Sequence, residues 1–327
     1  MPELRKDPIV GRWVIIATER AKRPQGIRTE RPAKSHDDLC PFCPGNEDKT
    51  PSPVLVKNGG NGWTLRTVPN KFPALKIEGE IGRRGEGLYD KMNGVGAHEV
   101  IIETPAHDLG LADLEHSAVE TLLATVRERL CDLQRDTRFR YGMVFKNHGA
   151  AAGATLEHSH TQLIALPVVP ISVADELAGA RRYYDFKERC VFCDIVRQDT
   201  REGSRIIFEN DEFVALAPYA PKFPFETWIL PKRHAAAFER SPDDLVGKLA
   251  GVLKIALRKL NVALEDPPYN FILHTAPFGG ADLPDYHWHV EIMPTLTRVA
   301  GFEWGSGFYI NPTPPEEAAA FLRNLPT

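Results

Sequence analysis

The sequence predicts an α+β protein made of two tandem copies of one unit, each a mostly antiparallel sheet flanked by helices. Three observations predict it. A Cys-x-x-Cys pair occurs twice, as "CPFC" (Cys40, Cys43) and "CVFC" (Cys190, Cys193). Each pair is followed by a strand-like run that leads through a proline to a histidine, "EVIIETPAH" and "ETWILPKRH", and then by a helical pattern. Each copy closes on a further strand-like run and a His-x-His strand, "HSHTQLIALP" and "HWHVEIMP". One element repeats easily by chance; a series in the same order points to internal duplication. Several short strands around one helix per copy suggest an antiparallel α+β unit. The copies are expected at residues 1–178 and 179–327.

The elements follow in order. Residues 20–60 and 77–97 are rich in Gly, Pro and charge and read as loops. After the strand at 99–107, Asp113 is a candidate N-cap for a helix carrying Leu114, Val119, Leu123, Val126 and Leu130 on one face. "RYGMVFKNHG" (140–149) reads as a strand, and 168–189 as a connector. In the second copy Ser241 is the expected N-cap and Pro242 the first helical residue, before Leu245, Leu249, Val252, Ala256 and Leu260. "YNFILHTAP" (269–277) is the matching strand.

A chain of 327 residues has length enough for two domains with real cores. Hydrophobic content of 43% and charged content of 26% are those of a soluble globular protein. Net charge of −4 and a pI near 6.3 argue against a nucleic-acid footprint, so a phosphate-bearing ligand would need a local site. No apolar run approaches the roughly 20 residues that span a bilayer. The charged start "MPELRKD" lacks an apolar leader region, and the expected location is cytoplasmic.

In a reducing compartment, paired cysteines imply metal or redox chemistry rather than disulfides. Aligning the copies yields two ligand sets, Cys40, Cys43, His107 and His158, and Cys190, Cys193, His234 and His287; the fifth cysteine, Cys131, is outside both. Two thiolates and two imidazoles make a closed tetrahedral zinc set, here structural because distant segments must be tied together. Glu176, His274 and His289 are alternative ligands for the second site.

His158, His160 and Gln162 alternate along a strand and share one face. With His158 on metal, His160 is the candidate nucleophile, since neither a Gly-x-Ser-x-Gly elbow nor a Walker A loop occurs. Gln162 is a neutral donor for a phosphoryl oxygen. The small-residue loop "KNHGAAAGAT", with Asn147 and Gly153, could bring backbone N–H groups close to a phosphate. Arg20, Lys22 and Arg23 in "ERAKRP" could clamp a diphosphate. The second copy carries Glu291 at the place of Gln162, which would repel phosphate, so catalysis is expected in the first copy.

These motifs, in this order and over nearly the whole chain, resemble the galactose-1-phosphate uridylyltransferase family of the histidine-triad superfamily. The resemblance rests on Arg-Ala-Lys-Arg-Pro, Cys-x-x-Cys, Asn-x-Phe-Pro-Ala, Pro-x-His, Asn-x-Gly-Ala-Ala-x-Gly and His-x-His-x-Gln, and on "PFETWILPKRH" and "GFE". It implies two tandem histidine-triad-like domains, usually in a homodimer, and a covalent nucleotidyl intermediate on His160. It implies that Gln162 contacts the transferred phosphoryl group. Zinc is implied at Cys40, Cys43, His107 and His158, and the Cys190/Cys193 pair favours a second zinc. Arg20, Arg23, Asn70, Asn147 and Gly153 fall on nucleotide-sugar positions, and Phe302 and Glu303 on sugar-contacting ones. The implied reaction exchanges a uridylyl group between UDP-glucose and galactose 1-phosphate, in galactose metabolism. Ser159, where the best-known members have Pro between the histidines, and the second Cys pair also resemble a sister group, ADP-glucose phosphorylase.

Overall fold

The computed structural model describes residues 2–22 and 40–326. Strands β1 (Glu3–Lys6) and β2 (Trp13–Ile16) open the chain. The first copy follows with β3 (Leu55–Gly59), β4 (Gly62–Pro69), the hairpin β5 (Arg84–Glu86) and β6 (Tyr89–Lys91), β7 (Ala97–Ile102), α1 (His116–Leu133), β8 (Tyr141–His148) and β9 (His160–Leu166). Helices α2 (Ile171–Lys187) and α3 (Val191–Glu202) lead into the second copy. It contains β10 (Ile206–Glu209), β11 (Phe213–Leu216), β12 (Thr227–Pro231), α4 (Asp243–Leu264), β13 (Tyr269–His274) and β14 (His289–Pro294). Helix α5 (Gly301–Ser306), β15 (Tyr309–Asn311) and α6 (Pro315–Arg323) close the chain.

Ten strands form one sheet in the order β10-β11-β12-β14-β13-β8-β9-β7-β4-β3. Its pairings are antiparallel throughout. The order is symmetric about the β13–β8 seam, where Asn270 lies opposite Asn147. Outward from it, β8, β9, β7, β4 and β3 match β13, β14, β12, β11 and β10. The duplication read in the sequence is therefore visible as one sheet made of two like halves.

Alternation decides the faces. Ile101, Val144, Leu163, Phe271, Leu273, Val290 and Ile292 point to one side and pack with α1 and α4 in the main core. The other face is covered differently in each half. In the second copy α3 and α2 cover it, burying Val191, Phe192 and Ala180 against Val214, Leu216 and Trp228. In the first copy, among the described residues, the Cys40–Cys43 loop packs on it, with Cys40 and Phe42 on Val100 and Ile102. Among the described residues, no helix lies over this face of the first half.

Three sequence expectations are corrected. Residues 168–189, read as a connector, hold helix α2. The loops expected at 20–60 and 77–97 include β3 and the β5–β6 hairpin. The caps are Glu115 and Pro242 rather than Asp113 and Ser241, because both helices start one turn or less later than the apolar pattern implies. Among the described residues no helix is long and apolar enough to cross a membrane.

Candidate active site and metal centres

Strand β9 brings His160 and Gln162 to the thinly covered face, opposite Ile102 and Val100 of β7. His158 lies just before the strand and is fully buried. The His160 Nδ1 is 2.8 Å from the His158 carbonyl oxygen, which can only accept, so Nδ1 carries the hydrogen and Nε2 keeps its lone pair. Burial first, then the Lys146 ammonium, hold this imidazole below its usual pKa and so neutral. A neutral imidazole whose free nitrogen faces the open side is a competent nucleophile.

The strand is fastened from behind. Lys146 Nζ, on the helix side of β8, donates to Glu103 (2.9 Å), to Ser159 Oγ (2.9 Å) and to the His160 carbonyl (3.0 Å). Ser159 Oγ and Thr161 Oγ1 each donate to Glu103 at 2.6 Å. All four side chains are buried. Burial pushes the Glu103 carboxyl up, but Lys146 and the two hydroxyls outweigh it and hold the group ionised. Ser159 is thus part of a bonded frame under the nucleophile.

The first cysteine set converges. Cys43 Sγ lies 3.3 Å from His107 Nδ1 and 3.6 Å from His158 Nδ1, and Cys40 Sγ lies 3.7 Å from His158 Nδ1. In the second set Cys193 Sγ is 3.4 Å from His234 Nδ1 and 3.5 Å from His287 Nδ1. Within each set of four, the ligand atoms lie within 4.8 Å of one another. Tetrahedral zinc with S and N ligands needs separations of roughly 3.5 Å, so the donors fit. The imidazoles are turned to suit: His158, His234 and His287 each donate Nε2–H to a backbone carbonyl, of Thr104, Leu283 and Pro231, which leaves Nδ1 aimed at the sulfurs.

Glu176, His274 and His289 do not join the second set. They form a buried cluster of their own, with donor atoms within 4.8 Å. Helix α2 brings Glu176 to 3.2 Å from His274, whose ring stacks on His289 at 4.6 Å. Glu291 is not the bare anion that alignment suggested: it lies 3.3 Å from Lys222 and 3.5 Å from His274. The second copy's counterpart of the His160 site is filled with its own charges.

Other expected ligand positions are met unevenly. Asn147 faces the same side from β8, and Asn70 reaches His98 beside Gln162. Gly149 (φ 78°) and Gly153 (φ 90°) hold left-handed backbone at the ends of the small-residue loop, which a side chain would strain. Arg20 is exposed on a short 3-10 turn, and Arg23 lies outside the described residues. Phe302 and Glu303 sit on exposed α5, where the Glu303 carboxylate accepts from the Ala300 N–H; among the described residues neither bonds to the His160 strand.

Sequence reasoning missed Phe42, His98, Glu103, Lys146 and Asn270. Phe42 sets its ring edge-on to His158 and His160, with centroids 6.0 and 5.4 Å apart. Phe192 occupies the matching place beside His287 and His289 but lies tilted, with interplanar angles of 40° and 32°. The signal was present: both pairs read Cys-x-Phe-Cys.

The comparisons with known proteins agree with this geometry. Residues 1–170 match the model of the galactose-1-phosphate uridyl transferase N-terminal domain, and 176–324 that of its C-terminal domain. The chain is 38% identical to an ADP-glucose phosphorylase of Arabidopsis thaliana over 99% of this chain and 93% of that one. It is 30% identical to a galactose-1-phosphate uridylyltransferase of Thermotoga maritima over 99% and 98% of the two. The fold superposes on a crystal structure of an Arabidopsis thaliana ADP-glucose phosphorylase with bound ADP-glucose, with TM-score 0.87, 36% identity and all of both chains covered.

Proposed function

The chain belongs to the galactose-1-phosphate uridylyltransferase family, and we propose that it transfers a nucleotidyl group through His160, with ADP-glucose as donor and phosphate as acceptor. The observation that carries the covalent route is the His160 ring itself: neutral, pinned at Nδ1, with Nε2 free beside Gln162. In the first step Nε2 attacks the α-phosphorus, a P–N bond forms, and the P–O bond to glucose 1-phosphate breaks. In the second, a phosphate oxygen attacks the same phosphorus, the P–N bond breaks, and ADP leaves. Both leaving and entering groups are already ionised phosphates, so no strong general acid or base is needed. Phosphoryl-type transfer then rests on position and charge stabilisation, supplied by Gln162, Asn147, the Gly149–Gly153 loop and, with Arg20, Arg23.

Zinc, held by Cys40, Cys43, His107 and His158 and by Cys190, Cys193, His234 and His287, would supply a structural cross-link when bound. The halves 1–178 and 179–327 are read as a catalytic and a non-catalytic domain. The enzyme is read as a cytoplasmic homodimer, with Phe302 and Glu303 serving the sugar end of the substrate.

The 38% relative and Ser159 support adenylyl transfer. The second reading, uridylyl exchange between UDP-glucose and galactose 1-phosphate, is supported by the family models and the Thermotoga maritima relative. Glucose 1-phosphate release distinguishes them. ADP-glucose with phosphate is expected to be at least about tenfold faster than UDP-glucose with galactose 1-phosphate, a difference of roughly 1.4 kcal/mol in the barrier. The reverse order would establish the second reading.

A further inference from the structure

Three amide side chains lie along the proposed phosphate path, and in each the oxygen is already used. The Phe72 N–H donates to Asn70 Oδ1 at 2.8 Å. Asn270 Nδ2 lies 2.9 Å from Asn147 Oδ1, and His98 Nε2 lies 3.0 Å from Gln162 Oε1.

Backbone groups fix which atom is which. The Ala74 N–H can only donate, and it sits 3.2 Å from His98 Nδ1. Nδ1 is therefore the acceptor and, in the neutral ring, Nε2 carries the hydrogen. That hydrogen goes to Gln162 Oε1, so the Gln162 NH2 group is turned away from His98. Asn70 Nδ2 is 3.2 Å from the same Nε2, but both are donors, so its hydrogens remain available too. On the other side, Asn270 Nδ2 also lies 2.9 Å from the Ala152 carbonyl, which can only accept. Asn270 thus presents its NH2 group there, and Asn147 must meet it with oxygen.

We infer that His98 and Asn270 are positioning residues that turn Gln162 and Asn147 so that an anionic phosphoryl group meets only N–H donors. An unrestrained amide can turn its oxygen toward the phosphate and repel it; one hydrogen bond from behind removes that orientation. His98 reaches Gln162 because the two are diagonal neighbours on paired strands: Val100 is opposite Gln162, and His98 opposite Ile164. Asn270 does the same across the seam, so the second half of the chain orients a group in the first half's site.

The inference rests on nucleotidyl transfer through Gln162, and a double-mutant cycle separates the two. The rate of nucleotide adduct formation on the full-length protein would be measured in single turnover for wild type, His98→Phe, Gln162→Ala and the double variant. His98→Phe is expected to slow it roughly 10- to 100-fold, the scale of misplacing a catalytic group by about 1 Å. In the Gln162→Ala background the same change should cost less than about twofold, because the residues act as one unit. His98→Gln, which can still donate to Gln162, should stay within about threefold of wild type and serves if the Phe variant folds poorly. Equal losses in both backgrounds, or equal losses for His98→Phe and His98→Gln, would overturn the role of His98 alone. A wild-type rate in Gln162→Ala would remove the catalytic reading of Gln162 and, with it, this inference.

Discussion

At His160 the side chain is held by its own strand and by the frame beneath it. Lys146 is fully buried, and its ammonium is matched by Glu103. Removing one partner leaves the other charge without compensation. Lys146→Met should therefore cost about 3–5 kcal/mol in denaturant unfolding, while Lys146→Met with Glu103→Gln should recover much of it. Equal cost for the single and double variants would show that the pair is not the relevant unit. A second residue sets a pH dependence. Burial pushes His274 toward its neutral form, but Glu176 and Glu291 outweigh this and raise its pKa to about 10. An imidazole raised above its unfolded value stabilises the fold below roughly pH 6.5, and that contribution fades as pH rises toward the folded value. Tm should fall between about pH 7 and 10, more in wild type than in His274→Gln; parallel curves would contradict the assignment. Glu176 and His274 were already grouped as candidate ligands in the sequence, but the Lys146–Glu103 pair was not legible there. A lysine within "YGMVFKNH" is visibly on the core side by alternation, but only the fold says that Glu103, far away in the chain, arrives beside it.

Each Cys-x-Phe-Cys element brings two thiols and a phenyl ring against a His-x-His strand. The elements are alike, yet their removal should not be. His158 is two residues from His160, so loss of the first metal set loosens the strand that aims the nucleophile. His287 lies beside a cluster without an open face. Cys43→Ser is expected to lower both Tm and turnover, the latter by roughly 100-fold. Cys193→Ser should lower Tm but leave turnover per folded molecule within about threefold. Equal loss of turnover in both would contradict this division. These elements were the most legible part of the chain, because strand alternation, helix period and a repeated cysteine motif are local signals. Helix α2 was not legible: its apolar positions alternate weakly with Arg, Tyr and Asp. It was missed for the same reason that it matters, since it brings a carboxylate, Glu176, into a buried site instead of an apolar stripe.

On the scale of the whole molecule, duplication and asymmetry together make the site. The ten-stranded sheet repeats the same half twice about the β13–β8 seam. One half is closed by α2 and α3 and filled with Glu176, His274, His289 and Glu291. The other is left with Gln162, Asn147 and a histidine whose Nε2 is free. The two copies and their Cys2His2 sets could be read from spacing alone. Which copy stays open could be argued from Gln162 against Glu291, but the reason, a helix lying over one half, could not. The proposed reaction requires a covalent bond to His160 Nε2, and intact-mass spectrometry of the protein incubated with ADP-glucose alone tests it most directly. Wild type should gain the mass of one nucleotidyl group, mapped by peptide analysis to His160 and lost on adding phosphate, and His160→Ala should gain none. An adduct that persists in His160→Ala, or a wild-type protein that turns over substrate without ever carrying one, would contradict it.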